Sequence, residues 1–338
     1  MTPARRSPRV TIKDIARTAG VSVTTVSDSL SGNGRLPEET RQRIRDIATE
    51  LGYRPSAAAR SLVRSRTGLL LLSAAAPGTS VSSLWSIDFF VNVMTAAAVQ
   101  ASSRGYALAL SPKSVPPNLS YDGAVVVDPT EDSDLLAHAR QDGTPVVTIG
   151  RSGEGHAWVD NDYPVVVPDV LDHFRAGGAR RPALLASEPT TSYVQDTVEQ
   201  YTAWCNAHRC NPHVVYVEGG ITEVAGRDAA ARLFATSVRP DAVLATLDHL
   251  ALGVATAAAE LELSIPGDVM VASLGDSAMI AHSRVPITAV DLAPVQVGTC
   301  AVDMLIDQIE TGAAATDHVV PGRLIIRAST ERQRRRRS

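Results

Sequence analysis

Residues 11–51 read TIKDIARTAGVSVTTVSDSLSGNGRLPEETRQRIRDIATEL, and the spacing of their apolar side chains predicts three short helices. The Thr11 hydroxyl can cap the first helix, and Gly20 can end it. Ser22 can cap a second helix, and a third should run over residues 37–51, with a proline at its start. Two short helices joined by a glycine turn form a helix-turn-helix, and the second helix of that motif enters the major groove of DNA.

A short alanine-rich stretch, YRPSAAARSL, follows at residues 53–62. A proline starts this stretch and a serine can cap it, but it is too short to be a stable helix alone in water. It can become helical when it is held against a partner chain and a minor groove. Without it, the helix-turn-helix pattern would fit an ordinary helical hairpin about as well as a DNA-binding one.

The formal net charge of -4 conceals an asymmetry along the chain. Residues 1–66 hold 13 Lys and Arg against 6 Asp and Glu, and the last eight residues hold five Arg and one Glu. Residues 67–330 hold 14 basic against 29 acidic side chains. A basic head on an acidic body indicates that the head meets a polyanion. Charge alone leaves DNA, RNA and a membrane surface open.

From residue 67 the pattern alternates between strands and helices, which predicts parallel sheets covered on both faces. The strands exceed what one compact unit of this length would hold, so two similar doubly wound lobes are expected. The expected strands are 69–73, 107–110, 123–127, 146–149, 183–186, 214–217, 242–245 and 269–273. The expected helices are 135–141, 165–176, 198–207, 225–235 and 250–261.

Several classes of protein are disfavoured. The longest apolar run, residues 69–76, is far too short to span a bilayer, and the N-terminus lacks a signal-peptide pattern, so a cytoplasmic protein without a membrane partner is expected. The three cysteines and eight histidines show no metal-ligand spacing, which predicts reduced thiols and no metal. Neither a glycine-rich phosphate loop nor a serine nucleophile elbow is present, so neither an enzyme nor a cofactor is expected.

A resemblance now becomes visible. Residues 10–72 resemble, without a gap, the N-terminus of lactose-repressor/GalR-family regulators, and the combination AGVS, TTVS and LGYRPSAAARSL is specific. Motifs of the body, such as DGAVVVDP at 122–129 and IPGDVMVASLGD at 265–276, agree with it. The resemblance implies a sequence-specific repressor that binds a pseudo-palindromic, double-stranded operator as a homodimer. Its core would look like the periplasmic sugar-binding proteins, with a small-molecule effector in a cleft between two lobes.

The resemblance also implies how the chain is divided. We expect a helix-turn-helix domain at 1–54, a hinge helix and linker at 55–66, an effector-binding and dimerisation core at 67–330, and a basic tail at 331–338. The N-lobe would comprise about 67–160 and 292–320, and the C-lobe about 161–291 and 321–330. The tail lacks the leucine heptads that would make a tetramer, so a dimer associated with the nucleoid is expected. The tail's arginines can either contact DNA or remain solvated.

The family pattern implies a set of DNA contacts in the head and hinge. Val23 and Thr24 occupy base-reading positions, and the Val23 side chain can offer only apolar contact, for example to a thymine methyl. Asp28 can accept from cytosine N4, or it can merely face solvent or pair with an arginine. Leu62 would wedge into a base step and kink the duplex. The full set is Thr11, Ser22, Val23, Thr24, Thr25, Ser27, Asp28, Tyr53, Ser56, Ala59, Arg60 and Leu62.

The predicted cleft lacks four hydrogen-bonding side chains that sugar-binding relatives place there. Those relatives carry Asp, Arg, Asn and Asp where this chain has Gly150, Thr197, Leu247 and Gly275. Each unpaired polar group of a bound sugar would cost about 1–3 kcal/mol, so a simple monosaccharide is disfavoured. Either the effector is less hydroxylated and more apolar, or the core serves only dimerisation. A transporter's solute-binding protein is disfavoured by the head.

Six polar side chains near strand ends remain as candidate effector contacts. For one of them, Asp248, capping a helix is the stronger interpretation. The six are Asp128, Arg151, Asp160, Tyr193, Asp248 and Asp276.

Overall fold

The computed structural model of the protein describes residues 10–31, 35–53, 66–74, 87–111, 119–130, 133–153 and 155–331. The chain separates into two compact units at the bond between Gly68 and Leu69. The first unit, called the head, is all-α in its described residues, and the second unit, called the core, is α/β. This confirms the predicted fold class.

The described part of the head contains α1 (Ile12–Ala19), α2 (Val23–Ser31) and α3 (Glu38–Glu50). The third helix is one residue shorter at each end than predicted, because Pro37 stays extended and Leu51 ends the helix. All three helices are short, so they depend on packing against one another rather than on intrinsic propensity. Their shared apolar cluster consists of Ile15, Ala16, Ala19, Val26, Ile44 and Ala48.

The first sheet of the core is parallel throughout and has the strand order β11-β5-β4-β3-β1-β2. Its central strands β3 and β4 are buried at every residue, as the continuous apolar runs of a two-sided parallel sheet require. The strands are β1 (Leu69–Ala74), β2 (Ala107–Leu110), β3 (Gly123–Val127), β4 (Val146–Ile149), β5 (Ala157–Asn161) and β11 (His318–Val320).

The second sheet has the order β12-β10-β9-β8-β6-β7 and is parallel except for the antiparallel pair β10 and β12. Its strands β6, β8 and β9 are likewise buried along their whole length. The strands are β6 (Pro182–Ala186), β7 (Val214–Tyr216), β8 (Ala242–Ala245), β9 (Met270–Ser273), β10 (Thr288–Asp291) and β12 (Arg323–Ile325).

Helices cover both faces of each sheet, which makes both lobes doubly wound. In the N-lobe, α4 (Asp88–Ser103) and α11 (Pro294–Thr311) pack on one face and α5 (Asp134–Asp142) on the other. In the C-lobe, α6 and α7 cover one face, and α8 and α9 cover the other. The remaining helices are α6 (Tyr163–Ala176), α7 (Ser192–Ala207), α8 (Glu223–Phe234), α9 (Asp248–Glu260) and α10 (Ala278–Ala281).

The chain passes between the two sheets after β5, after β10 and between β11 and β12. One buried side chain joins all three crossings: the Asn161 amide donates to the Leu292 carbonyl at 2.9 Å and to the Val320 carbonyl at 3.0 Å. At the third crossing, a Cβ on Gly322 would stand 2.8 Å from Val166 Cγ1, so the side chains of the C-lobe pack tightly against the Gly322 backbone there. The three connections therefore form one hydrogen-bonded junction between the lobes.

Candidate DNA interface and effector cleft

The recognition helix α2 is fixed at its start by a serine cap. Ser22 Oγ accepts from the Thr25 backbone amide at 3.0 Å, which satisfies one of the free N–H groups of the first turn. Val26, one turn on, is fully buried in the cluster of the head. Burial of that face points the preceding residues outward: Val23 is 41% exposed, and Thr24 is exposed too. The first turn of α2 therefore presents the two expected base-reading side chains to solvent.

The turn before α2 holds the two helices of the motif at a set angle. Gly20 adopts the left-handed φ of +67, and the Val21 amide donates to the Ala16 carbonyl at 3.1 Å. At the other end of α1, the Thr11 amide donates to Asp14 Oδ2 at 3.0 Å, which closes a capping box. Both ends of α1 are thus satisfied by local groups, as the sequence indicated.

The other expected DNA contacts are divided between the described and undescribed parts of the chain. Thr11 and Ser22 are exposed, while Thr25, Ser27 and Asp28 are half-buried beside them. Tyr53 is half-buried and packs against the apolar cluster of the head, so its ring has a structural role as well. The expected hinge contacts, and the tail from 332 onward, lie outside the described residues: Ser56, Ala59, Arg60 and Leu62.

In the core, the ends of the N-lobe strands meet the start of the C-lobe helix α7. Arg151, two residues after β4, donates its backbone amide to Ser192 Oγ at 2.8 Å. Its guanidinium forms an ion pair with the Asp196 carboxylate, also on α7. A Cβ on Gly150 would stand 3.3 Å from both Ser192 Oγ and Asp128 Oδ1. These contacts place Asp128, Gly150, Arg151, Ser192 and Asp196 in one cleft between the lobes.

Two carboxylates in this cleft carry strongly raised pKa values. Burial, and then the neighbouring Asp160, raises the pKa of Asp128 to about 7. Burial also raises the pKa of Asp160 to about 6, although the Asn161 amide and Arg151 partly offset it. Asp160 Oδ1 accepts from the Asn161 backbone at 2.8 Å, but Asp160 Oδ2 is buried without a hydrogen-bond partner among the described residues. Asp196 Oδ2 is also buried without a hydrogen-bond partner among the described residues.

Aromatic and aliphatic side chains form the rest of the cleft. The rings of Tyr163 and Tyr193 lie 5.4 Å apart, and the Tyr193 hydroxyl donates to the Thr246 carbonyl. Burial raises the pKa values of both phenols well above the ordinary range, so both remain neutral. The open space here is about 40 Å³, against roughly 300–1,000 Å³ for a typical ligand pocket. Its lining includes Phe90, Asp128, Thr191, Tyr193, Ile221 and Leu247.

Two of the six candidate effector contacts, Asp276 and Asp248, bind neighbouring residues of the protein. Arg327 binds Asp276 with both nitrogens of its fork, at 2.8 Å each. Asp248 Oδ1 accepts from the His249 backbone at 2.9 Å. Burial raises the pKa of Asp248, but the hydrogen bonds and the charge of His249 oppose that effect, and the pKa is lowered. Asp248 lies in the first turn of α9, after Leu247 as N-cap, so it contributes to the helix start without being the N-cap itself.

The four positions at which sugar-binding relatives carry hydrogen-bonding side chains have different surroundings in this chain. Thr197 is fully buried and donates to the Tyr193 carbonyl at 2.8 Å, so Asp196, not Thr197, reaches the cleft from α7. Leu247 lines the cleft, as expected, with an apolar side chain. Gly275 lies beside the start of α9, 4.0 Å from the Asp248 amide as measured from its would-be Cβ. Sequence reasoning missed Ser192 and Asp196, because nothing in the pattern showed that α7 starts at Ser192.

Comparison with known proteins relates this geometry to a family. Residues 11–56 match the model described as bacterial regulatory proteins, lacI family, and residues 171–330 match the model of a periplasmic binding protein-like domain. The chain therefore combines a lacI-type DNA-binding domain with a periplasmic binding protein-like domain, and its relatives are lacI-family regulators. Members of this family are transcription regulators, and the chain is a DNA-binding transcription regulator with the family's type of effector-binding core.

Individual relatives are distant but cover most of the chain. The HTH-type transcriptional regulator MalR of Streptococcus pneumoniae is 27% identical over 274 residues, covering 76% of this chain and 82% of MalR. The probable HTH-type transcriptional repressor ExuR of Bacillus subtilis is 28% identical, covering 79% and 82%. The Lac repressor dimer bound to operator and the anti-inducer ONPF shares the fold, with a TM-score of 0.81 at 19% identity over 96% of this chain and 99% of that one.

Within the described ranges, no helix is long and apolar enough to cross a membrane. The same part of the chain contains no cluster of three His, Cys, Asp or Glu side chains that could hold a metal ion.

Proposed function

We propose that this lacI-family regulator represses transcription by binding a pseudo-palindromic operator as a homodimer, and that a small molecule in the cleft of the core modulates the binding. The observation that carries the DNA-reading part is the exposed first turn of α2, with Val23 and Thr24 outward and Val26 buried. In the helix-turn-helix geometry those N-terminal positions reach base edges in the major groove. The hinge at 55–66 and its wedge Leu62 belong to the same proposal, as do the remaining expected head and hinge contacts.

The domain boundaries are proposed on the same basis. A DNA-binding domain at 1–54, a hinge at 55–66, a core at 67–330 and a basic tail at 331–338 agree with the separation at residue 68 and with the strand order of the two sheets. The N-lobe segments, about 67–160 and 292–320, and the C-lobe segments, about 161–291 and 321–330, support an opening and closing motion about the junction at Asn161.

A variant pair tests the DNA-reading proposal. Operator duplex would be isolated by in vitro selection, and its affinity measured by fluorescence anisotropy beside that of scrambled duplex. Thr24→Ala should weaken operator binding roughly tenfold, because each base contact is worth about 1–3 kcal/mol, and should leave scrambled-duplex binding unchanged. Thr49→Ala is the matched control, since Thr49 is exposed on α3 and its hydroxyl bonds its own helix at 2.9 Å. Equal effects on both duplexes would contradict a reading role for α2.

A surface of the C-lobe supports the homodimer. Leu252, Ala255 and Ala259 follow each other at helical spacing along α9, and with Leu263, just beyond the end of the helix, they line an open groove of about 560 Å³. A second copy of the chain would cover this groove, as repeating apolar positions on an outer helix face favour association. Ala255→Glu should convert the dimer to a monomer in sedimentation velocity, whereas Ala207→Glu, an exposed alanine at the end of α7, should not. A dimer that survives Ala255→Glu would exclude this face.

The alternative function is a ligand-independent regulator whose core only dimerises, and the narrow cleft of about 40 Å³ favours it. The effector-modulated function is favoured by the buried, unpartnered Asp160 Oδ2, because such a group costs about 1–3 kcal/mol unless something pairs with it. The effector is proposed not to be a simple monosaccharide, since Gly150, Thr197 and Leu247 offer a sugar no side-chain grip in the cleft. A thermal-shift screen with operator release as a second readout separates the two functions.

A further inference from the structure

The cleft brings together acidic side chains from both lobes. Asp128 follows β3 and Asp160 lies in β5 of the N-lobe, while Asp196 reaches in from α7 of the C-lobe. They lie close enough to affect one another electrostatically: Asp160 raises the pKa of Asp128, and Asp196 raises that of Asp160. The cation paired with this group is Arg151, and it is bound to Asp196. Asp128 and Asp160 therefore lack a full counter-charge from Arg151.

Two carboxylate oxygens of this group are buried without a hydrogen-bond donor. Asp160 is only 5% exposed and Asp196 only 6%, yet Asp160 Oδ2 and Asp196 Oδ2 have no hydrogen-bond partner among the described residues. Buried carboxylates are ordinarily paired or hydrogen-bonded, because isolated burial of a charge is strongly unfavourable. The pKa of Asp128 is raised to about 7 by burial and, after that, by the like charge of Asp160, as expected of a carboxyl without a counter-ion.

We infer that the cleft binds an organic cation, a protonated amine or guanidinium on a small apolar body, whose N–H groups donate to Asp160 Oδ2 and Asp128. This inference rests on the proposed function, since it names the chemical class of the effector. A sugar hydroxyl can donate a hydrogen bond to a carboxylate, but it is neutral. An ammonium group donates hydrogen bonds and also carries a positive charge. The described carboxylates do not cluster as metal ligands, so a bare metal ion does not fit the same demand.

The rest of the cleft suits the apolar part of such a ligand. Phe90, Ile221 and Leu247 line the open space, together with Tyr193 and Asp128. Aromatic faces attract a cation at close range and also pack against methylene groups. Because the open space is about 40 Å³, the lobes must separate for the ligand to enter, and the Arg151–Asp196 pair crosses the gap that would widen.

The experiment uses the purified full chain and thermal shift at matched ionic strength. The cations are butylamine, phenethylamine, putrescine and agmatine, added as hydrochloride salts. The neutral compounds are butanol, phenethyl alcohol and glucose. The reference sample contains sodium chloride in place of the amine hydrochloride. At tens of millimolar, we expect at least one amine or guanidine to raise Tm by roughly 2 °C or more, and its alcohol partner not to do so. A panel in which no cation outperforms its neutral match overturns the inference.

Variants tie the shift to the cleft. Asp160→Asn keeps the shape of the side chain and removes its charge, so the apparent affinity for the amine should fall at least about tenfold. Asp134→Asn is the matched control, because Asp134 is an exposed carboxylate on α5 of the same lobe, and its shift should equal that of the unaltered chain. An amine shift that persists in both Asp160→Asn and Asp128→Asn would place the cation elsewhere and overturn the inference.

A second readout, operator release, separates this inference from the function it rests on. If a neutral compound shifts Tm and changes operator affinity while the cations do neither, the effector-modulated function stands and the cationic class is wrong. If no compound in the panel changes either quantity, the cationic class is again wrong and the ligand-independent function is favoured. If a cation does both, and Asp160→Asn loses both effects together, the inference holds.

Discussion

Replacing Asp128 by Asn should make the core less sensitive to rising pH. The folded-state pKa of Asp128, about 7, lies above the ordinary value of 3.8, so the unfolded chain releases this proton first as pH rises. A group of this kind contributes stability that is fully present below pH ~4 and is lost as pH rises through ~7. Unaltered protein should therefore become less stable between pH 5 and pH 8 through this group, and Asp128→Asn should escape that loss.

The magnitude follows from the same shift. From pH 5 to a folded pKa of about 7 is two units, or roughly 3 kcal/mol at 1.36 kcal/mol per unit. Asp128 is partly exposed, and its titration is coupled to that of Asp160, whose pKa is about 6. We therefore expect the free energies of unfolding of variant and parent to diverge by only about 1–2 kcal/mol. The stability of the variant relative to the parent should therefore increase by this amount between pH 5 and pH 8.

Urea unfolding followed by tryptophan fluorescence measures this difference directly. All three tryptophans, Trp85, Trp158 and Trp204, lie beyond residue 68, so the signal reports on the core and not on the head. Asp134→Asn should change with pH in parallel with the parent, because its carboxylate is exposed. Identical pH slopes for the parent and Asp128→Asn would refute the assignment of Asp128 and Asp160 as an interacting acidic pair in the cleft.

Three further predictions concern the junction, the ion pair and the hinge. Asn161→Ala should lower the free energy of unfolding of the core by about 2–4 kcal/mol, because it leaves the carbonyls of Leu292 and Val320 without their buried donor. Urea unfolding measures this loss, and a loss below about 0.5 kcal/mol would contradict the prediction. Asp276→Asn should destabilise the core by about 1–3 kcal/mol, because it removes the carboxylate charge that Arg327 binds. The affinity for an amine, measured by titration calorimetry, should stay unchanged. Weaker amine binding would restore Asp276 as a ligand contact. Leu62→Ala should keep the fold and the dimer but lose much of the operator affinity, and unchanged binding in a mobility-shift titration would count against the hinge wedge.

The sequence predicted the head well because its determinants are local. Thr11, Gly20 and Ser22 act within their own turns, and the stripe that contains Val26 and Ile44 has the helical period. In the core, the central strands were predicted almost to the residue, since a strand buried on both faces is a continuous apolar run. Four strands, β5, β10, β11 and β12, were not predicted; β11 and β12 have three residues each, which are too few to show any period.

The cleft was predicted only in part, for a physical reason. Asp128 and Asp160 could be selected because each stands at the end of a buried strand. Asp196 was missed because it lies in the first turns of α7, where Gln195 and Asp196 interrupt the apolar pattern, which predicts a helix start at 198. The pairing of Asp276 with Arg327, 51 residues further along, depends on the final β-strand pairs and has no local signature.

In vitro selection with the purified full chain, from duplexes with a random centre, tests the central claim most directly. A dimer of a helix-turn-helix head predicts enrichment of one motif with inverted symmetry, whose binding also weakens steeply as salt rises because phosphate contacts release counter-ions. The same selection with Val23→Ala, at the exposed start of α2, should change the preferred bases at symmetric positions in both half-sites. Enrichment of no motif, or of one without inverted symmetry that Val23→Ala leaves unchanged, would contradict the account.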